Sequence, residues 1–178
     1  LGMLRGISMV YQGTSPKVVF ETIMQTSTGF FPTAPSKIRF WSSSLPGADP
    51  NKSIIIADSN NVPFAPALGN VDVEGPICRP SIGTSLDNNV LFVSMMVQSA
   101  TTGGADTTSF NDIYLTASGN GGASWKRPAM VNSVSPRFDW PYASISPSND
   151  VQGGVYACNI MVMKDVIPGS NVNAANPL

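Results

Sequence analysis

The stretch SGNGGASW, residues 118–125, decides how this chain is expected to fold. It follows NDIYLTA, residues 111–117, whose mixed apolar and β-branched residues are typical of a β-strand. The Asn120 side chain can bond backbone groups two residues on, while Gly121 and Gly122 reach positive φ without a Cβ clash. The sequence therefore predicts a β-hairpin with a locally fixed turn. We expect Trp125 to lie over the loop and to bury much of its ring.

The same residues resemble a known motif. The pattern Ser-x-Asn-x-Gly-x-Ser-Trp is similar to the Asp-box, or BNR repeat, of sialidase-like β-propellers, and Asn120 stands where that family usually has Asp. The residues that carry the match are Ser118, Asn120, Gly122, Ser124 and Trp125. In that family the box joins the outer two strands of a propeller blade and lies away from the active-site face. The resemblance therefore implies an architecture and assigns no chemistry to the box.

The composition excludes several classes of function. Charged residues make up only 12% of the chain, the net charge is −1 and no run of like charge occurs, so binding of nucleic acid or of an anionic membrane by a basic patch is disfavoured. The chain has no histidine, which excludes Ser-His-Asp, Cys-His and His-ligated zinc chemistry within it. Two cysteines, Cys78 and Cys158, can form a disulfide or remain as two buried thiols.

The sequence also bears on cellular location. No apolar stretch approaches the roughly 20 residues that cross a bilayer. The first residues, LGMLR, lack the basic start and the long apolar run of a signal peptide. A chain that begins with Leu is expected to be a mature or partial polypeptide. The low charge and the abundance of Ser, Thr and Asn lead us to expect an exported protein that is extracellular or at the cell surface.

An internal repeat sets the predicted architecture. VVFETIMQ (18–25) matches VLFVSMMVQ (90–98), and residues 155–163 match both, while PSIGTS (80–85) matches ASISPS (143–148). Repeats of this length built from four strands are typical of propeller blades. We therefore predict a single all-β segment over 1–178, with blade-like units at 1–76 and 77–135, the second containing the box, and a partial unit at 136–178.

Two and a half blades do not close a propeller, which needs about 4–8. The chain is therefore expected to be part of a larger propeller or to cover its open edges with a neighbouring chain. A β-sandwich is the alternative fold. Residues 80–125, DWPYASI (139–145) and KDVIPGS (164–170) together resemble the last blades of secreted BNR-type exoproteins of Bacteroidota-like bacteria.

The resemblance directs attention to arginines and carboxylates. Sialidases hold the substrate carboxylate with three arginines, and use a Tyr activated by Glu together with an acid/base Asp; glycoside hydrolysis in general needs two carboxylates about 5–10 Å apart. Arg79 and Arg137 each precede a predicted inner strand, roughly where the family arginines project. The candidate ligand-binding residues are Asp72, Glu74, Arg79, Arg137, Trp140 and Tyr142.

Each of these candidates also has a purely structural interpretation. Asp72 and Glu74, on the long connection 59–76, are either ligand-binding groups or solvated loop charges. Trp140 and Tyr142 either stack on a sugar ring or pack between blades. The sequence assigns no residue a catalytic role.

The sequence points to no cofactor, with calcium as the one alternative. Asp87-Asn88-Asn89 and Asn149-Asp150 offer the oxygen ligands that calcium prefers, although Asx-rich turns explain both stretches better. Methionines are predicted to fill gaps in the core. The five so assigned are Met95, Met96, Met130, Met161 and Met163.

The predicted function is a non-catalytic recognition or structural segment of an extracellular β-propeller, with glycan as a candidate ligand. Its expected partners are the rest of the parent propeller or neighbouring chains, and neither nucleic acid nor a membrane span is expected. One alternative is a sialidase-like glycoside hydrolase whose active site is completed by other blades. Another is a self-assembling surface or virion protein, favoured by low charge and by open sheet edges that invite strand pairing.

Overall fold

The computed structural model describes residues 6–23, 25–26, 29–30, 36–45, 53–63, 75–103 and 108–168. Within these ranges the chain is all-β and contains no helix. The strands, in chain order, are β1 (Ile7–Gln12), β2 (Ser15–Thr22), β3 (Gln25–Thr26), β4 (Gly29–Phe30), β5 (Lys37–Ser42), β6 (Ile54–Ala57), β7 (Ile77–Ser85), β8 (Leu91–Gly103), β9 (Thr108–Ser118), β10 (Ala129–Met130), β11 (Ala143–Ile145), β12 (Ser148–Asn149), β13 (Val151–Gln152), β14 (Val155–Tyr156) and β15 (Ile160–Val162).

The first sheet has the order β1-β2-β5-β6, and every neighbouring pair is antiparallel. Its strands form because apolar and polar residues alternate, as in β5, where Ile38 and Phe40 are buried while Lys37, Arg39 and Trp41 are partly exposed. The alternation of polar and apolar residues over 36–42 predicts a half-buried strand, and β5 confirms it. Along the chain, β2 is followed by the short antiparallel pair of β3 and β4, which precedes β5.

The second sheet has the order β10-β9-β8-β7-β12. Its first four strands are antiparallel neighbours, and β12 is parallel to β7. The polar composition of residues 99–109 predicts a loop, which is wrong for the described part of this stretch: β8 runs to Gly103 and β9 begins at Thr108. The ladder continues through the pairs Thr102↔Ser109 and Gly103↔Thr108, because threonine favours extended backbone even where the surroundings are polar.

The remaining strands form a third unit beside the second sheet. Antiparallel pairs join β11 to β15 and β13 to β14. The backbone N–H of Ile145 donates to the Ser81 hydroxyl at 3.0 Å, and the chain passes so close to Gly83 that a Cβ there would overlap the Ser146 carbonyl. The third unit therefore lies directly against the second sheet.

Strand β8 shows the order of the layers, because its successive side chains point to opposite faces. Leu91, Val93 and Met95 belong to an apolar cluster shared with Val19 and Phe40 of the first sheet. Phe92 and Met96 point to the other face, towards the third unit, and are also buried. The second sheet is thus covered on both faces.

We call the contact between the first and second sheets junction one, and the contact between the second sheet and the third unit junction two. The all-β architecture is compatible with propeller blades or with a β-sandwich. A two-layer sandwich leaves the outer face of each sheet to solvent. Cover on both faces of the second sheet is the condition that a stack of blades requires.

The two junctions use the same hydrogen bond. At junction one the Ser8 hydroxyl accepts from the Ile82 N–H at 3.2 Å, and at junction two the Ser81 hydroxyl accepts from the Ile145 N–H at 3.0 Å. In each case a serine hydroxyl of one unit accepts a hydrogen bond from a backbone N–H of the next unit. That N–H belongs to the residue after the equivalent serine. The internal repeat of the sequence is therefore also a repeat of contacts.

Two methionines contradict the prediction that all five fill the core. Met95 and Met96 are buried, whereas Met130 and Met161 are 40% and 76% exposed. Met161 pairs with Ser144 on the face of the third unit that points away from the second sheet, and no described residue covers it.

The two cysteines are not joined by a disulfide. Cys78 is buried on β7, whereas Cys158 is only partly buried, so the expectation of two buried thiols holds for Cys78 alone. Burial raises the pKa of the Cys158 thiol to about 12, which keeps it protonated and unreactive at neutral pH.

Candidate functional site

The box residues form one closed hydrogen-bond network at the end of β9. The Ser118 hydroxyl donates to Asn120 Oδ1 at 2.9 Å and accepts from the Gly122 N–H at 3.0 Å. Asn120 Oδ1 also accepts from the Ser124 N–H, and Asn120 Nδ2 donates to the Ser124 hydroxyl at 2.8 Å. The Trp125 indole N–H donates to the Gly122 carbonyl at 3.1 Å. The predicted hairpin is present, since β9 and β10 flank this turn and pair with each other.

The box also closes junction one. The Trp125 ring meets Phe40 of the first sheet edge-on, with ring centroids 5.1 Å apart. Gly122 has φ +95° and lies so close to Phe40 that a Cβ would overlap its ring. The Lys17 ammonium donates to the Gly121 carbonyl at 3.3 Å, and burial lowers the pKa of this lysine.

The box and the described candidate binding residues, Arg79, Arg137, Trp140 and Tyr142, occupy opposite ends of the second sheet. The strand register aligns Thr84, Leu91 and Ser118 at one end and Ile77, Val97 and Asp112 at the other. Six residue steps of about 3.3 Å separate the two ends by roughly 20 Å. The arginines lie near the second end, which we call the arginine end.

Arg79 and Tyr142 are brought together at the arginine end. Arg79 lies in β7 where the register shifts between Cys78 and Ser81, and its guanidinium carbon is 3.9 Å from the centre of the Tyr142 ring. Both residues have left-handed backbones, with φ of 52° and 60°. Such conformations cost about 1–3 kcal/mol each outside glycine and concentrate at functional sites. Tyr142 is 38% exposed, so part of its ring is accessible.

The Arg137 side chain is bound by other side chains of the protein. Its guanidinium forms a bidentate ion pair with Asp112 at 2.6 and 3.1 Å and donates to the Ser99 hydroxyl at 2.7 Å. Asn132 Nδ2 donates to the same carboxylate at 2.9 Å. The sequence analysis did not single out Asp112. Its place within a predicted strand could have indicated a special role, because Asp is depleted in strands.

Trp140 lies in junction two, where its position favours packing over sugar stacking. Its ring meets Phe138 edge-on at 6.2 Å, and its backbone N–H donates to the Asn111 carbonyl at 3.1 Å. Together with Ile113 and Cys158 it lines a cavity of about 350 Å³. The indole N–H has no hydrogen-bond partner within the described chain.

Junction two buries polar side chains that sequence reasoning missed. Both side-chain polar atoms of Gln98, which is fully buried, and Asn111 Oδ1 find no partner among the described residues. Asn111 donates from Nδ2 to the buried Asp139 carboxylate at 3.3 Å. This layer therefore contains buried polar side chains as well as apolar ones.

Of the two stretches considered for calcium, 87–89 forms an Asx turn in which Asp87 Oδ1 accepts from the Asn89 N–H, whereas the Asn149 side chain bonds to Thr84, Ser146 and Asn159. Asp87 Oδ1 accepts from the Ser85 hydroxyl at 2.6 Å, and Oδ2 accepts from Asn89 Nδ2 at 2.8 Å. The Ser85 hydrogen bond is the main cause that lowers the pKa of Asp87. Asn149 Oδ1 accepts from the Asn159 N–H at 2.8 Å. Within the described ranges, no group of three or more His, Cys, Asp or Glu side chains is placed to hold a metal ion.

Two candidate residues, Asp72 and Glu74, lie outside the described residues. The chain matches no protein-family model, and no curated protein matches its sequence. In the part of the chain that the structure describes, no helix has the length and apolar character needed to cross a membrane.

Proposed function

We propose that the chain is a non-catalytic structural segment of an exported, sialidase-like β-propeller, in which its units stack on one another as blades. The observation that carries the proposal is the repeated junction, in which Ser8 meets Ile82 and Ser81 meets Ile145 through the same hydrogen bond. A repeat of contacts from unit to unit is what a stack of blades needs.

The box supports the same role. It joins the last two strands of the four-stranded meander β7-β8-β9-β10 and lies at the end of the sheet away from the arginines, as the resemblance implies. Its polar side chains form hydrogen bonds with one another, and its Trp125 ring packs on Phe40. The box therefore stabilises the packing of neighbouring sheets and offers no chemistry of its own.

The candidate binding residues support a non-catalytic role. Arg137 would have to leave a bidentate ion pair with the nearly buried Asp112 in order to bind a substrate carboxylate. Separating such a pair leaves a buried charge uncompensated, which costs about 3–5 kcal/mol. Arg137 is thus a bracing residue of the fold.

Glycan binding is a second candidate function, and the pair of Arg79 and Tyr142 favours it. A partly exposed aromatic ring beside a cation is a surface on which a sugar ring can stack. Both residues have left-handed backbone conformations, which persist where the surrounding structure imposes them and are common at functional sites.

A fluorogenic sialoside assay and a glycan array on the chain test both functions. We expect no turnover. We expect glycan binding to be lost in Tyr142→Ala and kept in Tyr156→Ala, since Tyr156 is an exposed tyrosine whose hydroxyl lies at Asp87, away from the arginine end. Turnover by the wild-type chain that Arg79→Ala abolishes would overturn the non-catalytic proposal. An empty glycan array would remove the second candidate and leave the structural role.

A further inference from the structure

The first sheet has an open face that is apolar. On β1, Ile7, Met9 and Tyr11 alternate with the residues that point to the second sheet, and they are 62%, 57% and 57% exposed. The register places Val18 of β2 opposite Met9, on the same face. We call the apolar part of this surface the head face; it consists of Ile7, Met9, Tyr11, Val18, Phe20 and Trp41.

The third unit has an open face as well, on the opposite side of the stack. Ser144 and Met161 are directly paired there and both are exposed. They line an open groove of about 580 Å³ together with Pro147 and Asn159. We call this groove the tail face.

The serine contact occurs twice between units of the chain, and each of the two open faces has the residues of one side of that contact. In both junctions a serine hydroxyl receives the N–H of the residue that follows the equivalent serine in the next unit. The next serine in this series is Ser144, which lies on the tail face. The residue equivalent to Ile82 and Ile145 is Met9, which lies on the head face. Among the described residues, the tail face therefore has no head face packed on it, and the head face has no tail face.

Burial favours contact between these two surfaces. The position of Met9 is taken by Ile82 and Ile145 in the other two units, and both of those are buried. The register also places Lys37 and Arg39 on the outer side of the first sheet, beside the head face. The Arg39 guanidinium donates there to the hydroxyls of Thr22 and Ser53, both at 3.2 Å.

We infer that a second copy of this chain docks head to tail, with the head face of one copy on the tail face of the other and the Met9 N–H of one copy donating to the Ser144 hydroxyl of its partner. The inference rests on the proposed function, because it treats the units as members of one stack. The interface is heterologous, so copies join successively into a ring or, if the rotation does not close, into a filament.

Sedimentation velocity over a range of concentrations tests the inference. We expect the wild-type chain to form species larger than a monomer. Met9→Asp removes the head and Met161→Asp removes the tail, because each places a charge in an apolar contact. Both residues are exposed, so each variant is expected to fold, which circular dichroism and a thermal melt check. Each variant alone should sediment as a monomer.

Mixing the two variants distinguishes a head-to-tail contact from others. Met9→Asp keeps an intact tail and Met161→Asp an intact head, so an equimolar mixture should sediment at twice the monomer mass and no further. Leu86→Asp is the matched control, since Leu86 is exposed in the turn after β7 and belongs to neither face. It should associate as the wild type does.

Two results would overturn the inference. A wild-type chain that stays monomeric up to its solubility limit would mean that something other than a second copy covers these faces. Dimers formed by Met161→Asp alone would mean that heads pair with heads. Sedimentation velocity therefore tests the inference, and the sialoside assay tests the proposed function. Failure of one can be distinguished from failure of the other.

Discussion

Junction one and junction two repeat the same serine contact but bury different groups. Junction one contains an apolar cluster that includes Val19, Phe40, Leu91 and Met95, and the box closes its end. Junction two contains Gln98 and other polar side chains without partners in the described chain, and a cavity of about 350 Å³. Junction one also buries the charged side chains of Lys17 and Glu21, so both junctions contain polar groups. The comparison teaches that one contact pattern accommodates different sets of buried side chains.

The third unit is less buried than the first sheet. Most of its side chains between Tyr142 and Val162 are exposed or partly exposed, whereas β2 and β5 contribute Val19, Ile38 and Phe40 to the buried cluster. Each fully buried aliphatic or aromatic side chain stabilises a fold by about 1.5–3 kcal/mol. The third unit is therefore expected to open locally before the two sheets separate.

The largest expected effect is at the closed end of junction one. Gly122→Ala introduces a Cβ that overlaps the buried Phe40 ring at a residue with φ +95°. Overpacking and a left-handed backbone together should lower the free energy of unfolding by about 4 kcal/mol. Urea unfolding followed by circular dichroism measures it.

Gly119→Ala is the matched control, because a Cβ at Gly119 meets nothing within 4 Å. We expect its unfolding free energy to stay within about 0.5 kcal/mol of the wild type. Equal losses in the two variants would mean that Phe40 does not pack on the box.

The second effect concerns the bracing ion pair. Arg137→Ala leaves the nearly buried Asp112 carboxylate without its cation, and the unfolding free energy should fall by about 3 kcal/mol. In the double variant Arg137→Met with Asp112→Leu both charges are absent, so much of the stability should return. If Arg137→Ala unfolds at the wild-type urea concentration, Arg137 is not a bracing residue.

The third effect should be local. Gly83→Ala places a Cβ against the Ser146 carbonyl and within 2.6 Å of Ile145, which forces the third unit away from the second sheet. Hydrogen exchange of residues 143–162 should rise by an amount equivalent to about 2 kcal/mol, while β2 and β5 stay protected. Equal loosening of β2 and β5 would mean that the two junctions open together.

The smallest effect concerns the resemblance to the Asp-box. Asn120→Ala removes three hydrogen bonds in a partly exposed turn and should cost about 1 kcal/mol. Asn120→Asp restores the residue usual in that family, and the Ser124 hydroxyl can then donate to the carboxylate, so its cost should stay within about 0.5 kcal/mol. Thermal melts of both variants compare them, and equal losses would contradict the resemblance.

Much of the fold could be predicted from the sequence because its signals are local. The alternation in β5 and the Asn-Gly turn of the box each specify their own backbone. The pairing of Asp112 with Arg137 could not be predicted, since the two are 25 residues apart and meet only when the register of β9 is fixed. The exposure of Met161 was missed for a similar reason: its environment depends on what covers the third unit.

The second sheet lies between the first sheet and the third unit, and the accessibility of two adjacent methionines tests this arrangement directly. Met95 points to junction one and Met96 to junction two, whereas Met9 and Met161 lie on the open faces. Oxidation to the sulfoxide, followed by mass spectrometry at a concentration where the chain is monomeric, ranks their accessibility. We predict that Met95 and Met96 are both protected while Met9 and Met161 oxidise readily. Oxidation of either Met95 or Met96 as fast as Met161 would contradict the claim, because one face of the second sheet would then be open to solvent.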